Sequence, residues 1–396
     1  MILNARLLSY ARFVKIVVVV FVAVSIELLS GTAWAQPPVV HGVQGVINAV
    51  RPGVRSGRID PLSVSPSVDG AVGITRPLTN GWFSDPFAQY PVGTKEVTWI
   101  SREGIAVSGL LFFPAALPQG GRKFSAIIYS HGLGASAEDF SYLGYTWAGR
   151  GIVVLCLRHP DSDESIWRGK IRPMNELKEA YQRCWSARDR ALALRSGIDF
   201  LFLSRREPAP WGQYLDFSKI GVAGNDLGAL GALLIAGQIP PDNGPSLKDS
   251  RVALALALSP PVFCEKEQAP FVYESIRVPT MIVTGTKDDG IVGVTKAPQR
   301  RIPYDGVQNV DRYLVVLLGG DHRVYGGRKM GAKQANDRSY QETIARETAD
   351  FITAYLSDDR VMLGQMRSFG KTCPLSNAHI EHQIGGQYAP IGSPLY

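Results

Sequence analysis

The sequence predicts an α/β domain built on a mostly parallel, doubly wound sheet flanked by helices. Short, continuously apolar runs alternate with helix-period segments along the chain, as strands must when helices cover both faces of their sheet. One such run, Ile220-Gly221-Val222-Ala223-Gly224, passes through Asn225-Asp226-Leu227-Gly228-Ala229, a sharp turn with small residues on both sides, straight into a helix. Polar groups follow the ends of several of these runs, and open α/β sheets place their sites at the carboxyl ends of strands.

The chain begins with a stretch outside that sheet. Arg6, Arg12 and Lys15 precede an apolar run from Ile16 to Leu29, and Ala33-Trp34-Ala35 follows. A positive segment, an apolar core and an A-x-A site describe a cleaved secretory signal peptide over residues 1–35, so the protein is expected to be exported to the periplasm or beyond. Glu27 interrupts the run and leaves it short for a membrane span, so no stable span is expected after cleavage. Residues 36–91 are rich in Pro, Gly, Ser and Val without a sustained period and read as an irregular arm.

The folded domain is expected over residues 92–360. Glu96 to Ile100 and Ile105 to Phe113 form a hairpin across Ser101-Arg102-Glu103-Gly104. The apolar strand Ala126 to Ser130 runs into His131-Gly132-Leu133-Gly134, followed by a helix over Tyr142 to Arg150 and a strand over Ile152 to Leu155. A polar excursion from Arg158 continues to about Trp185, and the next helix sets Ala191, Leu194, Ile198 and Leu201 on one face. After the turn at Asp226 come strands over Val252 to Leu258, Pro279 to Gly285 and Tyr313 to Leu318. A closing helix from Ser339 to Leu356 presents Ile344, Thr348, Phe351 and Tyr355 along one face, and residues 361–396 are a tail with little pattern beyond a short helix.

With 396 residues, 45% hydrophobic and 19% charged, the chain has ample material for a large core. The 42 Lys and Arg against 35 Asp and Glu leave +7, scattered without a basic run, so no nucleic-acid partner is expected. Export permits disulfides among Cys156, Cys184, Cys264 and Cys373 without selecting a pairing, while Cys156, within an apolar strand, suits a buried thiol equally well. The cysteine spacings do not suggest a zinc site, and no metal is expected.

The turn at Asp226 has the layout of a nucleophile elbow, which lifts one side chain above the end of the sheet. The glycine turn after Ser130 aims backbone N–H groups at a developing oxyanion, with Leu133 as one donor and Leu227, just past the elbow, as the second. Asp288 follows a strand end, with Asp289 one register away, and His322 follows the last strand in Gly319-Gly320-Asp321-His322. Nucleophile position, acid and histidine thus occur in the chain order of hydrolytic triads on α/β sheets. Ser136 and Ser259 are weaker substitutes for a nucleophile, since neither reads as a strained elbow.

Several segments carry a resemblance. Ser130-His131-Gly132-Leu133-Gly134, Trp147-Ala148-Gly149-Arg150-Gly151-Ile152-Val153-Val154, and Arg158-His159-Pro160 with Trp167-Arg168-Gly169 are similar to the secreted bacterial dienelactone-hydrolase-like and platelet-activating-factor acetylhydrolase-like α/β-hydrolases. The similarity continues through Ile220 to Gly224, Thr284 to Asp289, and Gly320-Asp321-His322-Arg323-Val324 with Gly326-Gly327-Arg328, and spans roughly residues 94 to 357. It implies an α/β-hydrolase fold and hydrolysis of a small carboxylic ester or lactone through a Ser-His-Asp triad without a metal or organic cofactor. By position, His322 matches the base, Asp288 the acid, and Leu133 and Leu227 the oxyanion donors. Gly224-Asn225-Asp226-Leu227-Gly228 departs from the family's G-H-S-x-G at two adjacent places.

An aspartate at the elbow changes the chemistry. At an acyl carbon it would form a mixed anhydride, whereas at a saturated carbon it gives an alkyl-enzyme ester that water can hydrolyse, as in haloalkane dehalogenases and epoxide hydrolases. Those enzymes also use leaving-group donors, for which Trp147, Trp167, Tyr181 and Trp185 lie in the right linear region. Against them, Leu227 stands where dehalogenases usually place Trp, and the oxyanion loop lacks their H-G-x-P. The other reading is an exported binding protein that keeps the pocket without the reaction.

Overall fold

The computed structural model describes residues 85–183, 187–206, 210–293, 295–326, 337–368 and 377–385. The segment expected to be a signal peptide, most of the expected arm, Cys184, Trp185, the Gly327-Arg328 pair and Cys373 lie outside the described residues. Among those described, the strands are β1 (Val92–Ile100), β2 (Ala106–Pro114), β3 (Phe124–Ser130), β4 (Ile152–Arg158), β5 (Leu215–Asn225), β6 (Val252–Leu258), β7 (Thr280–Lys287), β8 (Arg312–Asp321) and β9 (Ala378–Gln383). They make one sheet in the order β1-β2-β4-β3-β5-β6-β7-β8-β9. From β4 across to β8 every pairing is parallel, while β1, β2 and β9 pair antiparallel at the two edges. This is the α/β architecture that the alternating apolar runs predict.

The main helices are α1 (Ser141–Gly149), α2 (Pro173–Arg183), α3 (Ala187–Leu203), α4 (Leu227–Ala236), α5 (Asp337–Leu356) and α6 (Arg360–Ser368). β6, Val-Ala-Leu-Ala-Leu-Ala-Leu, is buried at every position because the sheet is covered on both faces. Its neighbour β3 shows how the faces divide: Ala126 and Ile128 join one core cluster, and Ile127 and Tyr129 the other. The first cluster takes Leu194 and Ile198 from α3 with Ala229 and Leu233 from α4, and the second takes Leu143 and Trp147 from α1 with Ile344 and Phe351 from α5. α4 is buried all round, which explains why its sequence, Leu-Gly-Ala-Leu-Gly-Ala-Leu-Leu-Ile-Ala, shows no polar face.

The structured part extends beyond the expected 92–360 at both ends. Asp85 forms a buried ion pair with Arg150 at 2.7 Å, and the N–H groups of Gln89 and Tyr90 both donate to Gly149 O, so the end of the arm packs on α1. Within the expected tail, α6 is the short helix, and β9 adds an unforeseen edge strand along β8 from Ala378 to Gln383. Cys156 and Cys264 are free thiols, Cys156 fully inside β4, where burial pushes its thiol pKa up. Among the described residues no helix is long and apolar enough to cross a membrane.

Candidate active site

At the end of β5 the chain turns at Asp226 with φ +49° and ψ −117°. A side chain in this left-handed region stores on the order of 1–3 kcal/mol of strain, so the surroundings must enforce it. They do so through the backbone. A Cβ on Gly224 would lie 2.3 Å from the Gly228 main chain, and one on Gly228 would lie 1.9 Å from Ser130 O. The Asp226 N–H donates to Leu258 O at 3.0 Å, and Asp226 O accepts the Leu230 N–H at 3.1 Å to start α4. The elbow read from the sequence is therefore present, with the Asp226 side chain half-buried at its tip.

The glycine loop that follows β3 meets this tip. Leu133 N–H donates to Asp226 Oδ2 at 3.3 Å. Leu227 is the first residue of α4, so its N–H belongs to the set that has no acceptor within the helix. A buried polar cluster holds the loop from behind. Arg190 of α3 donates to His131 O at 2.8 Å and to Ser162 Oγ at 2.6 Å, and Ser162 O accepts the Gly134 N–H at 2.7 Å. His131 Nε2 accepts the His159 N–H at 3.2 Å while Nδ1 faces Gly132 O at 2.8 Å, an arrangement that needs a neutral ring protonated on Nδ1. Burial, aided by the Arg190 charge, pushes the His131 pKa down to about 3, and the same two causes lower that of His159.

The acid and the histidine meet at the ends of the adjacent strands β7 and β8. Asp288 is fully buried just past β7, and its Oδ1 lies 2.8 Å from His322 Nδ1. Asp289, the alternative by register, is exposed and accepts the Ala297 N–H and the Lys296 Nζ, each at 3.0 Å, so it is a turn acid. Asp288 Oδ1 also accepts the Ser259 hydroxyl at 2.8 Å, and Oδ2 accepts Thr284 Oγ1 at 3.0 Å and the Tyr325 hydroxyl at 2.9 Å. Arg300, 1% exposed, pairs with Asp288 Oδ1 at 3.2 Å and donates to Asp288 O, Ser259 O and Pro260 O at 2.6, 2.7 and 3.0 Å.

The supporting roles of Ser259, Thr284, Arg300 and Tyr325 escape a reading of sequence motifs because each is set by what folds around Asp288. Ser259 also corrects an expectation: it does occupy a strained turn, with φ +52° at the end of β6. Its hydroxyl touches His322 Nδ1 at 2.9 Å, yet the residue is 0% exposed, so it supports the acid–histidine pair and is closed to substrate. Ser136 instead belongs to a capping box, its N–H donating to Asp139 Oδ2 at 2.8 Å.

Asp226, His322, Leu133 and Ile291 line both of two adjoining hollows. Leu177 and Tyr181 of α2 wall the first, and Phe140, Trp167 and Arg323 wall the second. Of the aromatic leaving-group candidates, Trp147 is buried in the α1–α5 core with its Nε1 on Thr348 Oγ1 at 3.1 Å, away from the hollows. Trp167 Nε1 donates to Gly134 O at 2.7 Å, and Tyr181 lines the first hollow together with Asp226. Among the described residues, no group of three or more His, Cys, Asp or Glu side chains is placed to hold a metal ion.

Residues 113–187 match the family model described as platelet-activating factor acetylhydrolase, isoform II. That stretch runs from β2 into α3 and contains the glycine loop after β3, His159 and Trp167. No curated protein matches the chain. The segment that contains the glycine loop after β3 is thus similar to the acetylhydrolases, and it sits in an α/β sheet that brings Asp226, Asp288 and His322 to neighbouring strand ends.

Proposed function

We propose that the protein is an exported hydrolase of a small ester- or lactone-like molecule, with Asp226 as nucleophile, His322 as base and Asp288 orienting the histidine. The observation that carries this reading, and selects the bond attacked, is the Leu133 N–H on Asp226 Oδ2. In acyl transfer the oxyanion donor must receive the substrate's carbonyl oxygen; here the nucleophile's own oxygen holds that place. Attack on a saturated carbon uses the arrangement as it stands.

In that route Asp226 Oδ1 displaces the leaving group and becomes the ester oxygen, while Oδ2 becomes the carbonyl oxygen already seated at Leu133. His322 takes a proton from water, hydroxide adds to Asp226 Cγ, and the Leu133 and Leu227 N–H groups hold the oxyanion. Collapse expels the alcohol oxygen, which recovers the proton from His322. An ester or lactone is opened at its alkyl–oxygen bond with carboxylate leaving, and a haloalkane or epoxide meets the same nucleophile. The signal-peptide pattern of residues 1–35 supports action outside the cytoplasm.

The test traps the intermediate. His322→Gln is incubated with 1-bromobutane or β-butyrolactone, and its intact mass and Asp226 peptide are read. An adduct on Asp226 that is absent in the Asp226→Ala/His322→Gln variant supports the reading. No adduct with either compound, together with a ligand that raises the melting temperature of the wild type, favours a binding protein and sinks the hydrolase.

A further inference from the structure

Arg190 lies on α3, 4% exposed, and its guanidinium holds the glycine loop after β3 at both ends. At the entry it donates to His131 O at 2.8 Å. At the exit it donates to Ser162 Oγ at 2.6 Å, and Ser162 O in turn accepts the Gly134 N–H at 2.7 Å. The peptide group between these anchors is Gly132–Leu133. Its carbonyl faces His131 Nδ1 at 2.8 Å and accepts the Ala135 N–H at 3.3 Å, which turns its N–H toward Asp226 Oδ2 at 3.3 Å. With Gly134 at φ +70° the loop has little stiffness of its own, so its position is supplied from α3. The elbow helix leaves room for this: a Cβ on Gly231 of α4 would lie 2.8 Å from Arg190 Cβ. His131 and His159 stay neutral beside the guanidinium, since burial first and the Arg190 charge second lower their pKa values.

We propose that Arg190 is a positioning residue for the second half of the reaction: it fixes the Leu133 N–H where negative charge gathers as the Asp226 ester is hydrolysed, while alkyl transfer proceeds without it. This role rests on Asp226 being the alkyl-transfer nucleophile. The two halves make opposite demands on one donor. In alkyl transfer an Oδ1 electron pair forms the new C–O bond, the leaving group departs with its pair, and Oδ2 passes from carboxylate to ester carbonyl. Negative charge on Oδ2 falls, so a hydrogen bond there stabilises the starting state more than the transition state.

In hydrolysis, hydroxide adds to Cγ and the Cγ–Oδ2 π pair moves onto Oδ2. Collapse returns that pair, and the alcohol oxygen leaves with the proton held by His322. Charge on Oδ2 rises, so the same hydrogen bond now lowers the barrier. A firmly held donor therefore accelerates the second half alone.

The experiment separates formation of the Asp226 adduct from its loss. Wild type, Arg190→Gln and Arg190→Lys, all with His322 intact, are mixed with 1-bromobutane or β-butyrolactone, quenched over time and read by intact mass. Arg190→Lys keeps the buried charge, but one ammonium cannot replace the fork that reaches both His131 O and Ser162 Oγ. In both variants the adduct is expected to form within a few-fold of the wild-type rate and to decay about a hundredfold more slowly, so that it accumulates. A smaller folded fraction alone lowers the amount of adduct and leaves its decay rate unmoved. Unchanged decay, formation and decay slowed by the same factor, or failure of both variants to fold overturns the role of Arg190, while adducts in the His322→Gln protein leave the nucleophile intact. Absence of adducts from the His322→Gln protein as well overturns the nucleophile reading and this inference with it.

Discussion

Ser259 Oγ stands 2.9 Å from His322 Nδ1 and 2.8 Å from Asp288 Oδ1, although 63 residues separate the serine from the histidine and its backbone is held at φ +52°. The strained serine sits at the strand end between the elbow and the acid, where its hydroxyl helps fix the face of the imidazole turned from the cleft. Removing that hydroxyl in Ser259→Ala should cost about 1 kcal/mol or somewhat more, because it deprives a buried carboxylate of a donor. Ser259→Gly loses the same bond but relieves the backbone, so it should be less destabilised than Ser259→Ala by about 0.5–1 kcal/mol. Urea denaturation of both variants measures the order; Ser259→Gly being the weaker protein would contradict the strain assignment.

Arg300 and Asp288 form an ion pair with exposures of 1% and 0%. Arg300→Met leaves the carboxylate buried without its cation and should lower stability by about 3–5 kcal/mol. Arg300→Met combined with Asp288→Asn should recover part of that loss, and a double-mutant cycle in urea reads the coupling.

Asp226→Ser vacates the Leu133 donor and restores a hydroxyl at a turn already shaped for it. Hydrolysis of p-nitrophenyl acetate should rise at least about a hundredfold over the wild type, since acyl chemistry then gains both nucleophile and oxyanion site. Equal rates in the two proteins would show that acyl chemistry never depended on position 226.

Glu347 is 2% exposed, and burial, followed by the Asp350 charge, raises its pKa from an ordinary 4.5 to about 7, with Arg346 partly opposing. Its Oε2 has no hydrogen-bond partner among the described residues, which suits a protonated acid. A carboxyl whose folded-state pKa is raised binds its proton more tightly when folded. Its contribution to stability is therefore fully present below pH 4.5, declines as pH rises to about 7, and stays lost above it. The slope is about 1.4 kcal/mol per pH unit for one such group. Glu347→Gln should remove that decline, matching the wild type near pH 5 and exceeding it by a few kcal/mol near pH 8 in urea unfolding.

The parts legible in the sequence are those where the backbone itself makes demands. A strand buried on both faces has to be apolar throughout, so β6 was delimited by Val252 and Leu258 from composition alone. The elbow was visible because Gly224 and Gly228 have no room for a Cβ. Edge strand β9, Ala-His-Ile-Glu-His-Gln, has no such pressure, since much of it faces solvent and only one neighbour supplies its ladder. Arg300 and Ser259 left no local signal because a buried cation or a strained serine is defined by what folds against it. The choice between Asp288 and Asp289 was also beyond a linear reading: adjacent residues leave a strand end in opposite directions, and only Asp288 points inward.

The crowding around position 226 is main chain against main chain: Gly224 against Gly228, and Gly228 against Ser130. None of it specifies the side chain carried at the tip. Position 226 is therefore a socket, which determines where a reactive atom is presented and leaves open which atom that is. A chain with such a socket can exchange one reaction class for another, or fall silent, by a single residue change that the sheet beneath does not register. Folding and chemistry are then under the control of different residues, and a change in one leaves no trace in the other.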